Sequence, residues 1–332
     1  MLNEHKFIVD GPCQLKGVWQ TAGSKNAILP ILAASILNIE GDIILSNVPD
    51  ITDVTFMLEI LDVLNIDYKY SDNNLIINSE KAEFRPIEQQ HTSKLRASFF
   101  VLGPCISRFG IASIAPPGGD KIGQRPLDYL FRAFRKMDIE VEEEGLFTTA
   151  SGIVKDSSVN ANFSVGTTES IILASVVSDS NINIKCAASE PHVTDLCNFL
   201  NSMGAQINGI GTHDIYIHGV KKLKGTTWRI IPDYLESGTM AIAAAASKSE
   251  FIINDFYAVD NQLLLFYFDL MNQKYEMVNE NRIRIIPSFD LQPIRVRTSF
   301  FPGFPTDLQS PMAVLLTQCN GISSIYETIY EN

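Results

Sequence analysis

The phrase GSKNAILPILAASIL (residues 23–37), followed by the strand-like DIILSNV, recurs four more times along the chain. Each copy opens with a short polar loop, continues as a run of apolar and small residues, and ends in a β-branched segment. The steps are 71, 71, 71 and 68 residues when they are measured between the markers Lys25, Arg96, Thr167, Gly238 and Thr306. A nearly constant period of this length indicates modules of one design that bury their apolar faces against one another.

A second phrase has the same period and lies between the copies of the first. It is an amphipathic helical pattern followed by alternating residues, and it occurs at residues 53–64, 126–137, 191–203 and 261–271. Together the phrases predict a helix–strand–helix–strand–strand module of about 70 residues in an α/β fold. Because the fifth copy begins near Phe304 and the sequence ends at Asn332, we expect the last module or modules to be missing.

Composition limits the class of protein. The 332 residues suggest about two domains, and 45% hydrophobic with 19% charged residues is typical of a globular chain. A net charge of −12 argues against general nucleic-acid binding, which needs Lys and Arg to neutralise phosphates. Apolar runs are far shorter than the ~20 residues that span a bilayer. The five cysteines are widely spread and form no CxxC pair, so no zinc site or disulfide framework is predicted.

These observations leave a cytoplasmic enzyme or binding protein as the expectation. We expect it to have no metal, no cofactor, no membrane partner and no nucleic-acid partner.

The polar loops that open the first-phrase helices carry the candidate functional residues. If the modules are equivalent, their helix N-termini converge and offer free N–H groups and aligned dipoles to an anion. Lys25, Arg96 and Arg125 add full positive charges. This pattern predicts a phosphorylated small substrate. The alternative is that Lys25 and Arg96 are ordinary solvated charges.

Two further segments carry candidate acids and bases. APPGGDKIGQRPLD (residues 115–128) is a Gly- and Pro-rich loop that contains Asp120, and it is either a mobile lid with an acid/base group or an ordinary surface loop. Asp307 in PGFPTDLQ is either a functional carboxylate or a helix N-cap.

The sequence resembles the UDP-N-acetylglucosamine 1-carboxyvinyltransferase family of enolpyruvyl transferases. The motifs that carry the resemblance occur in family order from about residue 11 to the end of the chain: GSKNAILP, RASFFVLGP, GGDKIGQRPLD, SVGTTES, EPHVTDL, NSMGAQINGIGT, IPDYLESGT, FPGFPTDLQ and ETIYEN.

The resemblance implies an inside-out α/β barrel, the enolpyruvyl transferase fold, with two domains that close on substrate. One domain would comprise three modules in residues 25–232. The other would be incomplete and would comprise residues 1–24 with residues 233–332. The implied reaction is the first committed step of peptidoglycan synthesis, in which the enolpyruvyl group of phosphoenolpyruvate moves to the 3′-hydroxyl of UDP-N-acetylglucosamine and phosphate is released.

The family match also implies residue roles. Lys25, Arg96 and Arg125 would hold the phosphate and carboxylate of phosphoenolpyruvate. Asp307 would take the hydroxyl proton, and Asp120 or Lys25 would deliver a proton to the methylene carbon. The residues implied to bind the sugar nucleotide are Asn26, Arg125, Pro126, Leu127, Asp128, Ser164, Val165, Gly166, Asp307 and Ile329.

The loop departs from the family pattern at two positions. Most members have Cys, the residue that fosfomycin alkylates, where this chain has Asp120, and small residues are usual where it has Lys121. Asp also occurs here in relatives that use other uridine nucleotides, so a different nucleotide acceptor is one alternative. A truncated, non-catalytic homologue that binds a UDP-sugar is another.

Overall fold

A computed structural model of the chain describes Ile8, residues 10–119 and residues 127–330. The α-helices of this part are α1 (Lys25–Ala34), α2 (Thr52–Val63), α3 (Gln89–Thr92), α4 (Leu102–Phe109), α5 (Asp128–Lys136), α6 (Val165–Ser175), α7 (Pro191–Ser202), α8 (Tyr234–Ala246), α9 (Gln262–Leu270) and α10 (Gln309–Leu316). Short 3-10 turns lie at Ser35–Leu37, Arg96–Val101 and Thr306–Leu308.

The strands of the same part are β1 (Val18–Gln20), β2 (Ile43–Ser46), β3 (Asp67–Ser71), β4 (Asn74–Asn78), β5 (Ile111–Ile114), β6 (Ile139–Glu144), β7 (Phe147–Gly152), β8 (Ser157–Asn160), β9 (Asn181–Lys185), β10 (Gln206–Asn208), β11 (Asp214–His218), β12 (Thr227–Arg229), β13 (Phe251–Asn254), β14 (Tyr275–Asn279), β15 (Arg282–Ile285), β16 (Arg295–Arg297) and β17 (Ser324–Tyr326).

Both repeated phrases fold as predicted. Every copy of the first phrase is a helix followed by a strand: α1 and β2, α4 and β5, α6 and β9, α8 and β13, α10 and β17. Every copy of the second is a helix followed by two strands: α2 with β3 and β4, α5 with β6 and β7, α7 with β10 and β11, α9 with β14 and β15. The predicted helix–strand–helix–strand–strand module is therefore confirmed.

The sheets repeat one pattern of pairing. The strand after the first helix lies between an antiparallel hairpin strand and a parallel strand from a different part of the chain, as in the orders β12-β2-β4-β3, β1-β13-β15-β14 and β10-β11-β9-β8. In the first of these sheets the parallel strand comes from almost 200 residues further along, with Trp228 opposite Leu45. These three modules therefore complete their sheets with a strand that they do not themselves contain, whereas the described sheet of the second module, β5-β7-β6, has no such strand.

The chain divides into two compact units. Unit 1 comprises residues 1–21, 234–299 and 303–329, and unit 2 comprises residues 22–233, 300–302 and 330–332. In unit 2 the core is built around α1 and its counterparts α4 and α6, whose apolar residues are buried. In unit 1 the core contains Phe256, Phe268 and Phe304, which are fully buried.

No helix in the described part of the chain is long and apolar enough to cross a membrane.

The side chain of Trp228 packs β12 against the third module of unit 2. Its Nε1–H donates to Asp195 Oδ1 on α7 at 3.1 Å, and its ring meets Phe199 edge-on at a centroid distance of 6.1 Å. Asp195 is only 3% exposed. Burial raises the pKa of Asp195 to about 7, although hydrogen bonds from Trp228 and from the backbone of Ile231 oppose the rise. The strand that completes the first sheet thus depends on a buried carboxyl that is easily protonated.

Asp195→Asn should reduce the pH dependence of the free energy of unfolding. Between the ordinary Asp pKa of 3.8 and the folded-state value of about 7, the folded chain holds a proton that the unfolded chain has lost, so stability falls as pH rises through this window. Asn carries no charge and keeps an oxygen that can accept from Trp228. Denaturant unfolding of both proteins at pH 5 and pH 8 checks this prediction. We expect the free energy of unfolding to fall less between pH 5 and pH 8 in the variant than in the original protein. An equal fall in both proteins would contradict the raised pKa of Asp195.

Candidate functional site

The first helix start of unit 2 carries Lys25. Ser24 caps α1, and its Oγ accepts from the backbone N–H of Ala27 at 3.3 Å. The backbone N–H of Lys25 donates to Asp233 Oδ2 at 3.2 Å, and its half-exposed ammonium lies 3.8 Å from Asp53 Oδ2. A cation at a helix N-terminus opposes the helix dipole. Asp53 is the acidic residue that offsets this charge within the described structure.

The second helix start carries Arg96, which opens the 3-10 turn Arg96–Val101 before α4. Its guanidinium carbon lies 5.9 Å from the centroid of the Phe99 ring. The same ring also lies against Gly166 in the first turn of α6, where an added Cβ would lie 2.6 Å from Phe99 Cζ. Phe99 thus joins Arg96 to the third helix start, and glycine at position 166 permits the close approach.

The third helix start is the segment Ser164, Val165 and Gly166, all half-buried. Ser164 caps α6, and its Oγ accepts from the backbone N–H of Thr167 at 3.3 Å. The α1 helix packs against the Arg96–Val101 turn, and this turn packs against α6. The elements that begin with Lys25, Arg96 and Ser164–Gly166 are therefore neighbours within unit 2.

The Gly-rich loop begins against the same turn. The N–H of Gly118 donates to the carbonyl of Thr92 at 2.8 Å, and a Cβ at position 118 would lie 1.7 Å from the Ser93 carbonyl oxygen. Gly119 has a φ of +101°, and a Cβ there would lie 2.7 Å from Arg96 Cβ. Both glycines are thus required for the loop to start beside Arg96.

Three predicted site residues of this loop, Asp120, Arg125 and Pro126, lie outside the described residues. Leu127 and Asp128, which follow them, are described. Leu127 is half-buried directly before α5, and Asp128 is the exposed first residue of that helix.

In unit 1, Asp307 lies exposed in the 3-10 turn Thr306–Leu308. The capping positions of this turn and of α10 are Pro305 and Leu308, so the helix-cap alternative for Asp307 is wrong. Glu327 connects this turn to Ile329: Thr306 Oγ1 donates to Glu327 Oε2 at 2.9 Å, and the N–H of Ile329 donates to Oε1 at 2.6 Å. Two residues expected to bind the nucleotide are therefore held near each other by one carboxylate.

Sequence reasoning missed three carboxylates that position the predicted site residues. They are Asp53 and Asp233, which contact Lys25, and Glu327, which connects Thr306 to Ile329. Asp233 and Glu327 lie inside the motifs IPDYLESGT and ETIYEN. Their place in these motifs is the sequence signal that could have identified them.

Within the described residues, no group of three or more His, Cys, Asp or Glu side chains is arranged to hold a metal ion.

Comparison with known proteins gives the family. The model of the family described as EPSP synthase (3-phosphoshikimate 1-carboxyvinyltransferase) matches residues 9–332. The chain belongs to the EPSP synthase family.

Among members of the EPSP synthase family, UDP-N-acetylglucosamine 1-carboxyvinyltransferase 1 of Staphylococcus epidermidis is 37% identical, with 98% of this chain and 79% of that protein aligned. UDP-N-acetylglucosamine 1-carboxyvinyltransferase 2 of Carboxydothermus hydrogenoformans is also 37% identical, with 98% and 78% aligned.

Solved structures of enolpyruvyl transferases share the fold. The enolpyruvyl transferase NikO from Streptomyces tendae superposes with a TM-score of 0.84 at 18% identity, covering 96% of this chain and 76% of its own. EPSP synthase from Acinetobacter baumannii gives 0.67 at 15% identity, with 96% and 75% covered. The predicted enolpyruvyl transferase fold, an inside-out α/β arrangement, is confirmed.

Gly166→Ala tests the contact between α6 and the ring of Phe99, the residue that lies beside the Arg96 guanidinium. The added methyl would force Phe99 or the first turn of α6 to move, and overpacking of this kind typically costs about 1–3 kcal/mol. The free energy of unfolding, measured with denaturant, should fall by an amount in this range. Gly11→Ala is the matched control, because a Cβ there meets nothing within 4 Å. Equal stability of the two variants would show that the predicted close packing is absent.

Proposed function

We propose that this protein transfers the enolpyruvyl group of phosphoenolpyruvate to the 3′-hydroxyl of UDP-N-acetylglucosamine, releasing phosphate. This is the first committed step of peptidoglycan synthesis. The proposal rests most on one observation: relatives that are named for this activity are 37% identical over 98% of the chain. The neighbouring helix starts that bear Lys25 and Arg96 supply cations for two anionic substrates.

The substrate-binding roles follow the family match. Lys25, Arg96 and Arg125 hold the phosphate and carboxylate of phosphoenolpyruvate. The residues proposed to hold the sugar nucleotide are Asn26, Arg125, Pro126, Leu127, Asp128, Ser164, Val165, Gly166, Asp307 and Ile329. The proposed domains are residues 25–232 and residues 1–24 with 233–332. Since both substrates are cytoplasmic metabolites, we expect the protein to act in the cytoplasm.

The proposed chemistry is addition followed by elimination. The oxygen of the sugar 3′-hydroxyl attacks C2 of phosphoenolpyruvate while Asp307 takes the hydroxyl proton. Asp120 or Lys25 gives a proton to the methylene carbon C3. The product is a tetrahedral ketal that still carries the phosphate. Loss of phosphate from C2 and of one proton from C3 restores the double bond on the transferred group. Cations at Lys25 and Arg96 stabilise the negative charge in both steps.

Lys25→Ala should lower the rate of phosphate release from phosphoenolpyruvate with UDP-N-acetylglucosamine by about 100-fold, because losing such a charge costs about 3 kcal/mol in the transition state. Lys81→Ala is the matched control. Lys81 is likewise an exposed lysine with an aspartate oxygen at 3.8 Å, that of Asp67, but it has no proposed role. Similar rates in the two variants would defeat the assignment of Lys25.

The same assay separates the alternatives. Release that depends on UDP-N-acetylglucosamine supports the proposal. Release with UMP alone would identify a transferase for another uridine nucleotide. Binding of UDP-N-acetylglucosamine without any release would identify a non-catalytic homologue.

Asp120→Cys should create sensitivity to fosfomycin. A carboxylate is a weaker nucleophile toward an epoxide than the thiolate found in most relatives, so the unchanged protein should keep its activity in the presence of fosfomycin. The Cys variant should lose activity progressively with time. Mass spectrometry of the loop checks this, and fosfomycin attached to any loop residue of the unchanged protein would contradict the prediction.

A further inference from the structure

Asn47 lies directly after β2 in a backbone conformation that few residues with a side chain adopt. Its φ is +59°, in the left-handed region where Asn is more frequent than most other residues. Its Nδ2–H donates to the carbonyl oxygen of Ile230, the residue directly after β12, at 2.9 Å. The N–H of Ile230 donates to the carbonyl oxygen of Ser46 at 3.0 Å. Both polar backbone groups of Ile230 are therefore bound at the end of β2.

The equivalent position is built in the same way in two further modules. Cys186, directly after β9, has a φ of +50°, and Asp255, directly after β13, has a φ of +55°. Each side chain contacts the parallel strand of its own sheet: Cys186 Sγ accepts from Asn160 Nδ2 at 3.6 Å, and Asp255 Oδ2 accepts from Gln20 Nε2 at 2.8 Å. At position 47 the bond goes to a backbone carbonyl instead of a side chain, so it fixes the course of the chain itself.

The backbone of Asn47 also contacts the segment that leads into α1. A Cβ added at Gly23 would lie 1.8 Å from the Asn47 carbonyl oxygen, so only glycine permits this approach. Gly23 forms an isolated antiparallel bridge with Pro232, and the N–H of Ser24 donates to the carbonyl oxygen of Ile231 at 2.8 Å. Asn47 therefore touches one side of this bridge directly and holds the chain that leads into the other side.

The bridge carries the helix start that bears Lys25. Ser24 is the N-cap of α1, and the backbone N–H of Lys25 donates to Asp233 Oδ2 at 3.2 Å. Asp233 follows Ile230 after only two intervening residues. The groups that accept from the N–H of Ser24 and of Lys25 therefore belong to the short segment whose first residue Asn47 fixes.

We propose that Asn47 is a positioning residue that sets the place of Lys25 through the bridge between residues 22–24 and 231–233. The proposal rests on the function proposed above, in which Lys25 holds phosphoenolpyruvate. Loss of the Asn47 amide leaves the Ile230 carbonyl without this donor, loosens the bridge and moves the ammonium of Lys25 relative to the bound anion. A displacement of about 1 Å at a reacting site can cost about 100-fold in rate, so Asn47 can affect the reaction without contacting substrate.

Asn47→Gly removes the side-chain donor and keeps the backbone conformation, because glycine adopts a positive φ freely. Asn65→Gly is the matched control. Asn65 has the same φ of +59°, and its Nδ2 likewise donates to a backbone carbonyl, that of Lys81, at 3.0 Å, but it follows α2 and takes no part in the bridge. Asn47→Asp is the second variant, because an ionised carboxylate of the same size has no N–H to donate.

Hydrogen exchange followed by NMR, which resolves single amides, is the direct test. It needs no turnover, so it decides whether Asn47 holds the helix start even if the proposed reaction is wrong. We expect exchange at the Ser24 N–H to accelerate about tenfold in Asn47→Gly and Asn47→Asp, and to be unchanged in Asn65→Gly. Unchanged exchange at Ser24 in Asn47→Gly, or equal acceleration in Asn65→Gly, would overturn the proposal. If Asn47→Gly does not fold, Asn47→Asp decides by the same criteria.

Kinetics then test the positioning role. In Asn47→Gly the KM for phosphoenolpyruvate should rise about fivefold, and in Asn65→Gly it should be unchanged. A variant that is only less stable contains less active protein, which lowers kcat but leaves KM as it was. A normal KM for phosphoenolpyruvate in Asn47→Gly with accelerated exchange would overturn the positioning role. Absence of phosphate release in the original protein would instead defeat the proposed function, and the exchange result would still decide whether Asn47 holds the helix start.

Discussion

Burial of the first helix of a module along nearly its whole length, seen in α1 and α6, is the constraint on which unit 2 depends. In α1, residues 27–34 are all buried, and in α6 residues 167–175 are all buried. A helix enclosed in this way can present polar groups to a ligand only at its ends. The N-terminal turn carries the positive end of the helix dipole, which is the physical reason for proposing anion binding at Lys25, Arg96 and Ser164.

Completion of a sheet by a distant strand, seen in two of the sheets, explains how modules far apart in the sequence are joined. The sheet of the first module takes β12, and the sheet that contains β13 takes β1. Sheet edges left unpaired are sites of unwanted association, so these parallel strands protect the modules as well as connecting them. The buried pair of Asp195 and Trp228 fixes one such strand, β12, against α7. The packing of β12 within unit 2 therefore depends on a titratable carboxyl.

The period of the sequence was enough to predict the modules because a buried helix needs an unbroken apolar run, and such runs are visible without a structure. The same logic located Lys25, Arg96 and Ser164–Gly166, since polar residues at the start of an apolar run mark the helix N-terminus. Asp120 and Arg125 were candidates from their charge and from the composition of their loop, Pro126 was added by the family motifs, and all three lie outside the described residues.

Contacts between distant segments could not be predicted in the same way. Asp53 lies near Lys25 because α2 packs on α1, and Glu327 reaches Thr306 because β17 follows α10. A carboxylate has no sequence signature for which backbone N–H it will accept from; only the packing decides that.

The central claim is that the helix starts of three modules in unit 2 form one substrate site, with the sugar nucleotide on Asn26 and Ser164–Gly166 and phosphoenolpyruvate on Lys25 and Arg96. The most direct measurement is the change in amide ¹H and ¹⁵N chemical shifts as each substrate is added separately. The account predicts that UDP-N-acetylglucosamine changes the shifts of residue 26 and residues 164–167 along one binding curve, and that phosphoenolpyruvate changes those of residue 25 and residues 96–99 along another. Absence of a change at any of these helix starts, or different affinities at residue 26 and residues 164–167, would contradict it.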